Sequence, residues 1–425
     1  MSTTPPLRTG LGMVIPTQDL TRLSSARTTC IGLQEWLDAS LVQPASEESL
    51  NSTSTTNRLS PIYLVEGKLD SDRETAIGRI PVVSNNGSPL MPCKPSKARK
   101  LLAQGKATKK RNKLGIFYIQ LHFDPTHPFT QPLAIGIDPG TKFEGFSVVG
   151  NVDTVVNIMS EAVTWVKKKV AQRRNARRAR RKRKTRRRKC KENRLKNDLR
   201  LPPSTRARWD AKLRIITQLC TIIPIKYAVV EDIKAVTKKH QKRWNTNFSP
   251  LEVGKLYFYT ELKKMNLTVI LAQGNETKQL RELFGLQKKK SKSKPIFETH
   301  CIDAWVLAAV ITGAPYPTTQ SLYYVTPLQF HRRQLHRFNY SPGGMRKRYG
   351  GTISLGLKRG TLVKHSNYGL CYIGGYTHNK RLSLHSAKTG KRLTQNGQKE
   401  ECTILTRISF RTQFLSPVNR GVSLR

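Results

Sequence analysis

The sequence predicts an α/β protein with a small β-rich region toward its C-terminal end. Residues 133–137 form a short apolar run that ends in a turn, which is typical of a buried strand. Residues 211–219 carry apolar side chains at helical spacing. After Pro317, glycines punctuate short runs such as residues 368–373 and 381–385, which indicates a small antiparallel barrel or sheet.

The charge of the chain indicates a polyanionic partner. Its 425 residues include 76 Lys and Arg against 27 Asp and Glu, which gives a net charge of +49. Such a surplus repels itself in isolation, so nucleic acid is the expected partner. Membrane anchoring is the weaker explanation, because the sequence contains no run of 18 or more apolar residues.

The cysteines argue against a zinc site and against a disulfide framework. All seven are far apart, and none forms a Cys-x-x-Cys pair. This usage is typical of a reducing compartment, which leaves a bacterial cytoplasm or an organelle such as a plastid open.

Residues 1–75 differ in composition from the rest of the chain. They hold 6 basic and 9 acidic residues, with Ser or Thr at 21 positions. We expect this extension to be mostly disordered and assign it no chemistry.

Residues 76–125 predict a small module of strand, turn, helix and strand. A strand at 80–83 is followed by a turn at 85–87 and by a rigid bend at the prolines of 89–92. Ser96 is placed to cap a short basic helix, and a further strand covers 116–123. The helix either contacts phosphates or is the solvated face of a packing module. Its basic side chains are Lys97, Arg99 and Lys100.

The most basic segment lies within residues 164–200. Between residues 167 and 191, 17 of 25 residues are Lys or Arg and none is acidic. A continuous helix is compatible with this composition, but like charges one turn apart repel. A nucleic-acid backbone that orders the segment is therefore the favoured explanation. The candidate contacts are Arg173, Arg174, Arg177, Arg178, Arg180, Arg181, Arg183 and Arg187.

Acidic residues recur where apolar segments begin or end. Asp138 ends the strand at 133–137, Glu231 ends a second strand at 226–231, and Asp303 opens an apolar helix one turn after His300. We expect Thr299 to cap that helix. One acid at a strand end is usually a turn-former, but three in matching positions predict a shared site.

Clustered carboxylates are suited to phosphodiester hydrolysis. The reaction needs charge stabilisation on the attacking and leaving oxygens, and two divalent ions about 4 Å apart supply it. Oxygen ligands without thiolates favour Mg²⁺ or Mn²⁺ over Zn²⁺. We therefore predict two such ions, with Asp138, Glu231, His300 and Asp303 as catalytic residues and metal ligands.

Three short motifs resemble those of a known nuclease family. Ile-Gly-Ile-Asp138-Pro-Gly-Thr, Val-Val-Glu231-Asp and His300-Cys-Ile-Asp303-Ala-Trp resemble the split motifs of RuvC nucleases. Pro89-Leu-Met-Pro92 resembles the PLMP module of transposon-encoded IscB-type proteins, and the Arg-rich segment resembles their bridge helix, or RRxRR region. The resemblance covers residues 80 to about 400. It implies a ribonuclease-H-like (RuvC) core split by insertions, with a PLMP module, a bridge helix and a small β-rich C-terminal domain.

One departure points to a subtype. Only 68 residues separate Glu231 from His300, and they contain the single histidine His240, so an HNH nuclease is excluded there. The chain resembles the HNH-lacking relatives called IsrB. That resemblance implies a monomeric ribonucleoprotein with a long non-coding guide RNA, which nicks the non-target strand of double-stranded DNA. A C-terminal basic region would read a short motif beside the target. Candidate contacts in that region are Arg346 and Arg348.

These motifs divide the chain into six expected regions. They are an extension at 1–75, the PLMP module at 76–125, RuvC segment I at 126–163, the bridge helix at 164–200, RuvC segments II and III at 201–320, and the C-terminal domain at 321–425. Two other functions stay open: a junction resolvase that acts without RNA, and a non-catalytic RNA-binding protein.

Overall fold

The computed structural model describes residues 31–35, 78–126, 128, 130–165, 201, 203–232, 250–291, 293–328, 353–376 and 381–417, with isolated positions at 171, 174, 175, 178, 179 and 182. The strands are β1 (Ile31–Gly32), β2 (Ile80–Val83), β3 (Pro89–Cys93), β4 (Ala107–Arg111), β5 (Phe117–Leu121), β6 (Leu133–Asp138), β7 (Phe143–Val149), β8 (Thr154–Glu161), β9 (Ile225–Glu231), β10 (Thr268–Ala272), β11 (Leu322–Pro327), β12 (Ile353–Ser354), β13 (Leu357–Lys358), β14 (Thr361–His365), β15 (Gly369–Tyr376), β16 (Leu382–Ser386), β17 (Arg392–Gly397), β18 (Cys402–Arg407) and β19 (Phe410–Leu415). The helices are α1 (Pro95–Ala103), α2 (Pro203–Cys220), α3 (Pro250–Lys264), α4 (Gly274–Leu283) and α5 (Ile302–Thr312), and a π-helical turn at Phe297–Cys301 leads directly into α5.

The central sheet has the strand order of a ribonuclease-H-like fold. Its core runs β10-β9-β6-β7-β8. Strands β6, β7 and β8 form an antiparallel meander, whereas β9 is parallel to β6 and β10 is parallel to β9. The predicted ribonuclease-H-like α/β core is therefore present. Three further strands extend it, with β1 beyond β10 and with β11 and β19 beyond β8.

Helices cover both faces of this sheet. On one face, Ile137 and Phe146 join a buried cluster with Ile216 of α2 and Phe258 of α3. On the opposite face, Ala134 and Met159 pack with Trp305 and Ala308 of α5. Residue alternation along β6 sends odd-numbered side chains toward α2 and even-numbered side chains, including Asp138, toward α5.

Two local expectations in the N-terminal module were wrong. The prolines at 89–92 lie in strand β3 rather than in a bend, at the edge of the sheet β3-β2-β5-β4, where a missing N–H is tolerated. Ser96 does not cap α1, because the helix begins one residue earlier at Pro95, whose fixed φ suits a first helical position. The strand predicted at 80–83 is confirmed as β2.

The C-terminal region contains the predicted antiparallel sheet. Its five strands run β17-β16-β15-β14-β18. Strands β11 and β19, from the same region of the sequence, pair with each other at the edge of the central sheet. The central sheet therefore takes two of its strands from the region 321–425.

A short part of the N-terminal extension, residues 31–35, is described and contributes strand β1. Ile31 and Gly32 pair in parallel with Ile270 and Leu271 of β10, and the Leu33 side chain is buried beside them. The segment thus extends the sheet by backbone pairing at the β10 edge and packs there through Leu33.

Most of the Arg-rich segment lies outside the described residues. The described positions within 171–182 are helical and exposed, and they include Arg174 and Arg178. The other candidate contacts lie outside the described residues: Arg173, Arg177, Arg180, Arg181, Arg183, Arg187, Arg346 and Arg348.

In the part of the chain that is described, no helix has the length and apolarity needed to cross a membrane.

Two glycines of the central sheet let α5 approach closely. A Cβ atom added to Gly136 of β6 would lie 1.7 Å from the carbonyl oxygen of Ala304. One added to Gly145 of β7 would lie 2.1 Å from the carbonyl oxygen of His300. The backbone of the helical segment therefore rests directly on the sheet, and only glycine fits at either position.

Replacement of Gly145 tests this contact. We expect Gly145→Ala to lower the free energy of unfolding by about 3 kcal/mol, because the new methyl group displaces a backbone carbonyl. Gly375→Ala is the control, since a Cβ there meets nothing within 4 Å. Chemical denaturation followed by circular dichroism measures both, and equal stabilities would contradict the close approach.

A buried ion pair joins α2 to β7 on the face opposite α5. The Nζ atom of Lys212 lies 2.5 Å from Oε1 of Glu144, and the two side chains are 5% and 2% exposed. Burial raises the pKa of Glu144, and the charge of Lys212 opposes that rise. The lysine also lies 4.9 Å from the centroid of the Trp209 ring. Such a pair needs both partners, because either charge alone would be buried without compensation.

Removal of one partner should therefore be costly. We expect Lys212→Met to lower the free energy of unfolding by about 3 to 5 kcal/mol. Arg206→Met is the control, since Arg206 is 58% exposed and lies 3.7 Å from Asp210; we expect a loss below about 1 kcal/mol. Thermal unfolding compares the two, and similar losses would contradict the assigned cost of burial.

Candidate functional site

Asp138 is the centre of the candidate site. It is the last residue of β6, a strand buried along its whole length, and only 6% of Asp138 is exposed. Its Oδ2 atom lies 2.9 Å from Nδ1 of His300. The strand thus places a buried carboxylate at its C-terminal end, within the central part of the sheet and beside the start of α5.

His300 lies in the π-helical turn before α5. The imidazole is 8% exposed and faces the Phe143 ring at a centroid distance of 6.0 Å. Its Nε2 atom is buried and makes no hydrogen bond to any described residue. The predicted cap at Thr299 was wrong, because this residue lies within the π-helical turn and its hydroxyl donates to the carbonyl oxygen of Ile296. An isolated π-helical turn is a frequent feature of functional sites.

Glu231 reaches the same place from β9. Burial, followed by the charge and hydrogen bond of Asp138 and then the charge of Asp303, raises the pKa of Glu231 to about 8. The charge of Lys288 acts in the opposite direction. The carboxylates predicted from three separate motifs are therefore close enough to act on one another.

A buried polar network fixes the backbone that follows Glu231. Asp232 donates its backbone N–H to the carbonyl oxygen of Ala272, at 2.7 Å. Its Oδ1 atom lies 2.6 Å from Nζ of Lys255 and accepts a hydrogen bond from the Tyr259 hydroxyl at 2.8 Å. These bonds hold the end of β9 against β10 and α3, and so set the direction of the Glu231 side chain.

Asp303 lies in the first turn of α5 with both carboxylate oxygens engaged. Oδ1 lies 2.7 Å from Nη1 of Arg281, and Oδ2 contacts Nζ of Lys288. The sequence did not predict either cation as part of the site. Lys288 lies in a run of lysines, so nothing distinguishes it from its neighbours. Arg281 lies on a helix that was not predicted, so its position relative to the site could not be inferred.

The donor set suits a hard divalent cation, although it is not arranged around one. No group of His, Cys, Asp or Glu within the described ranges is positioned to hold a metal ion as it stands. Asp138 and Glu231 nevertheless offer carboxylate oxygens, and His300 offers a buried nitrogen without a described partner. Burial, and after it the neighbouring carboxylates Asp138 and Asp303, raises the pKa of Glu231. Burial strongly raises the pKa of the Cys301 thiol, so this residue is a neutral thiol when no metal is bound.

The candidate nucleic-acid contacts that can be placed are exposed. Lys97, Arg99 and Lys100 lie on the solvent side of α1. The basic strand β4, which includes Lys109, Lys110 and Arg111, forms the exposed edge of the same sheet. Both surfaces are available to a phosphate backbone.

Comparisons with known proteins agree with this picture in part. The family model described as "RRXRR protein" matches residues 80–247, which include Asp138, Glu231 and the Arg-rich segment. The solved structure titled "T. thermophilus RuvC in complex with Holliday junction substrate" is 14% identical, with 42% of this chain and 90% of that chain covered and a TM-score of 0.22. The "Thermus thermophilus RuvC structure" is 13% identical, with coverage of 41% and 90% and a TM-score of 0.21. No curated protein matches. The ribonuclease-H-like fold is thus identified by the strand order of the central sheet.

The raised pKa of Glu231 gives the metal-free protein a distinct pH dependence. Between about pH 4.5 and 8 the folded state retains a proton that the unfolded state has released, so the stability contribution of Glu231 falls as pH rises. We expect the melting temperature of the wild type, relative to that of Glu231→Gln, to decrease across this window in EDTA. A difference that is flat or increases with pH would contradict the raised pKa.

Proposed function

We propose that this protein is a metal-dependent, RNA-guided endodeoxyribonuclease that nicks one DNA strand in a RuvC-type site. The proposal rests on the convergence of Asp138, Glu231, His300 and Asp303 at one end of a ribonuclease-H-like sheet. The match to the RRXRR family model supports a nuclease of this kind.

The carboxylates are suited to hold Mg²⁺ or Mn²⁺, and two ions are proposed. Asp138 and Glu231 are the central ligands, with Asp303 and His300 at the side of α5. When bound, such ions stabilise charge on the attacking and leaving oxygens of the phosphodiester. The buried setting strengthens the electrostatic interactions of the acids, since little water screens them.

His300 is proposed to act on the attacking water or to complete the metal shell. Asp138 accepts the Nδ1 hydrogen bond at 2.9 Å, which fixes the ring and leaves the lone pair on Nε2. That Nε2 atom has no described partner, so it is free to receive a proton or to coordinate. Asp138 therefore has a second role as the positioning partner of the imidazole.

The basic surfaces are proposed to bind the guide RNA and the target DNA. The Arg-rich segment precedes α2 in the sequence, and the α2 residues Ile215 and Ile216 are fully buried against the sheet. An RNA held by this segment would thus be anchored to the nuclease core. Contacts of this kind depend on phosphate charge, so binding should weaken steeply with salt.

The finer subtype follows from the short connection between Glu231 and His300. It leaves no room for a second nuclease with an HNH motif, so the proposed site cuts one strand only. We therefore propose nicking of the strand that RNA–DNA pairing displaces, as in the HNH-lacking relatives called IsrB.

A plasmid assay tests the function. The chain is produced with the RNA encoded beside its gene and incubated with a supercoiled plasmid that carries the guide match, with Mg²⁺. We expect open-circle product that Asp138→Asn reduces at least about 100-fold, since a charge that stabilises the transition state is lost.

The control is Glu282→Gln, a carboxylate on α4 whose side chain is 62% exposed. It should nick as the wild type does. Absence of nicking by the wild type, with RNA binding retained, would favour the non-catalytic RNA-binding protein. Cleavage of a synthetic four-way junction by protein without RNA would instead favour the resolvase.

A further inference from the structure

The Asp303 carboxylate is held by two cations that reach it from outside its own helix. Arg281 on α4 binds Oδ1 at 2.7 Å, and Lys288 contacts Oδ2. The carboxylate is 5% exposed, whereas the side chains of Arg281 and Lys288 are 18% and 24% exposed. A buried carboxylate needs such compensation when no other cation is present.

These ion pairs compete with a divalent ion for the same oxygens. Ammonium and guanidinium groups have no lone pair to offer a metal, so they cannot join its ligand shell. Each carboxylate oxygen keeps a second lone pair, but a metal ion bound to Asp303 would lie beside two charges of its own sign, so its binding is opposed while both cations stay in place. The charge of Lys288 also acts on Glu231, so this lysine faces two of the proposed ligands at once.

The surroundings of the two cations indicate which one leaves. Arg281 lies on α4, which packs on α5 through an edge-to-face contact of Phe284 and Trp305 at 5.3 Å between ring centroids. Lys288 lies beyond the helix in a connecting segment, and its point charge sits on a flexible stem. Its neighbour Lys289 is tied down separately, with its backbone N–H donating to the carbonyl oxygen of Glu298 at 2.9 Å. The Lys288 ammonium can therefore move without displacing the segment.

We propose that Lys288 is a built-in counter-cation that occupies the Asp303 side of the site until a divalent ion displaces it. Arg281 keeps its bond to Oδ1 and orients the carboxylate in both states. The lysine stabilises the empty site and lowers its affinity for metal. This inference rests on the proposed metal-dependent function. It names Lys288 as the residue that competes with the metal ion for Asp303.

Metal binding by the full-length chain without nucleic acid tests the inference. Mn²⁺ is titrated into chelator-treated protein by calorimetry, with Lys288→Met compared to Lys289→Met. The control removes the same charge from the adjacent residue, whose side chain is 54% exposed and lies 3.5 Å from Glu298. We expect Lys288→Met to bind Mn²⁺ about tenfold or more tightly than the wild type, and Lys289→Met to stay within about twofold.

Melting temperatures provide a second readout. Without metal, Lys288→Met should melt below Lys289→Met, because its acidic cluster has lost a counter-charge, and saturating Mn²⁺ should stabilise it more than the wild type. Lys288→Gln should behave in the same direction. Equal or weaker Mn²⁺ binding by Lys288→Met than by Lys289→Met would overturn the inference.

Asp138→Asn separates this inference from the proposed function. If the wild type binds Mn²⁺ and Asp138→Asn does not, the metal site stands whichever way Lys288→Met behaves. If neither the wild type nor Lys288→Met binds Mn²⁺, both the metal site and the competitor are overturned.

Discussion

The direct contact between the α5 segment and the central sheet is the constraint on which the candidate site depends. A side chain at Gly136 or Gly145 would fill the space that the carbonyl oxygens of Ala304 and His300 occupy. Because neither position carries a side chain, the helical segment packs close enough to the sheet for the His300 ring to reach Asp138. The missing side chains at these two positions allow the Nδ1 atom of His300 to lie 2.9 Å from Oδ2 of Asp138. Attraction then fixes the contact that packing has made possible.

The electrostatics of this sheet end are set on both faces. Toward α5, Asp138, Glu231 and Asp303 concentrate negative charge. Burial, and after it this charge, raises the pKa of Glu231. Toward α2, Glu144 adds a further buried carboxylate, whose pKa is raised first by burial and to a smaller extent by the charge of Asp138. The Nζ atom of Lys212, 2.5 Å from Oε1 of Glu144, neutralises that carboxylate, so the pair adds no net charge next to the site. The ion pair is thus a structural element whose effect extends through the sheet to the proposed ligands.

The parts of the fold and site that the sequence predicted are those with a local signature. Asp138 and Glu231 each end an apolar run, so strand periodicity locates them without knowledge of the tertiary structure. Arg281 and Lys288 are different, because their partner Asp303 lies 22 and 15 residues away and nothing near them marks the pairing. The π-helical turn that carries Thr299 was missed for a related reason. Its sequence is compatible with an ordinary helix start, and its contact with Gly145 of the sheet leaves no mark in the local pattern.

The completeness of the site depends on residues that the matched family region does not contain. Residues 80–247 supply Asp138 and Glu231 on two adjacent parallel strands, together with the basic segment between them. His300 and Asp303 come from the chain beyond that region, and so do their partners Arg281 and Lys288. The connection from β10 through α4 brings them back over the sheet, where Phe284 packs on Trp305. On the proposed function, the acids within the matched region would bind the metal ion, and the cations beyond it would set how tightly it binds.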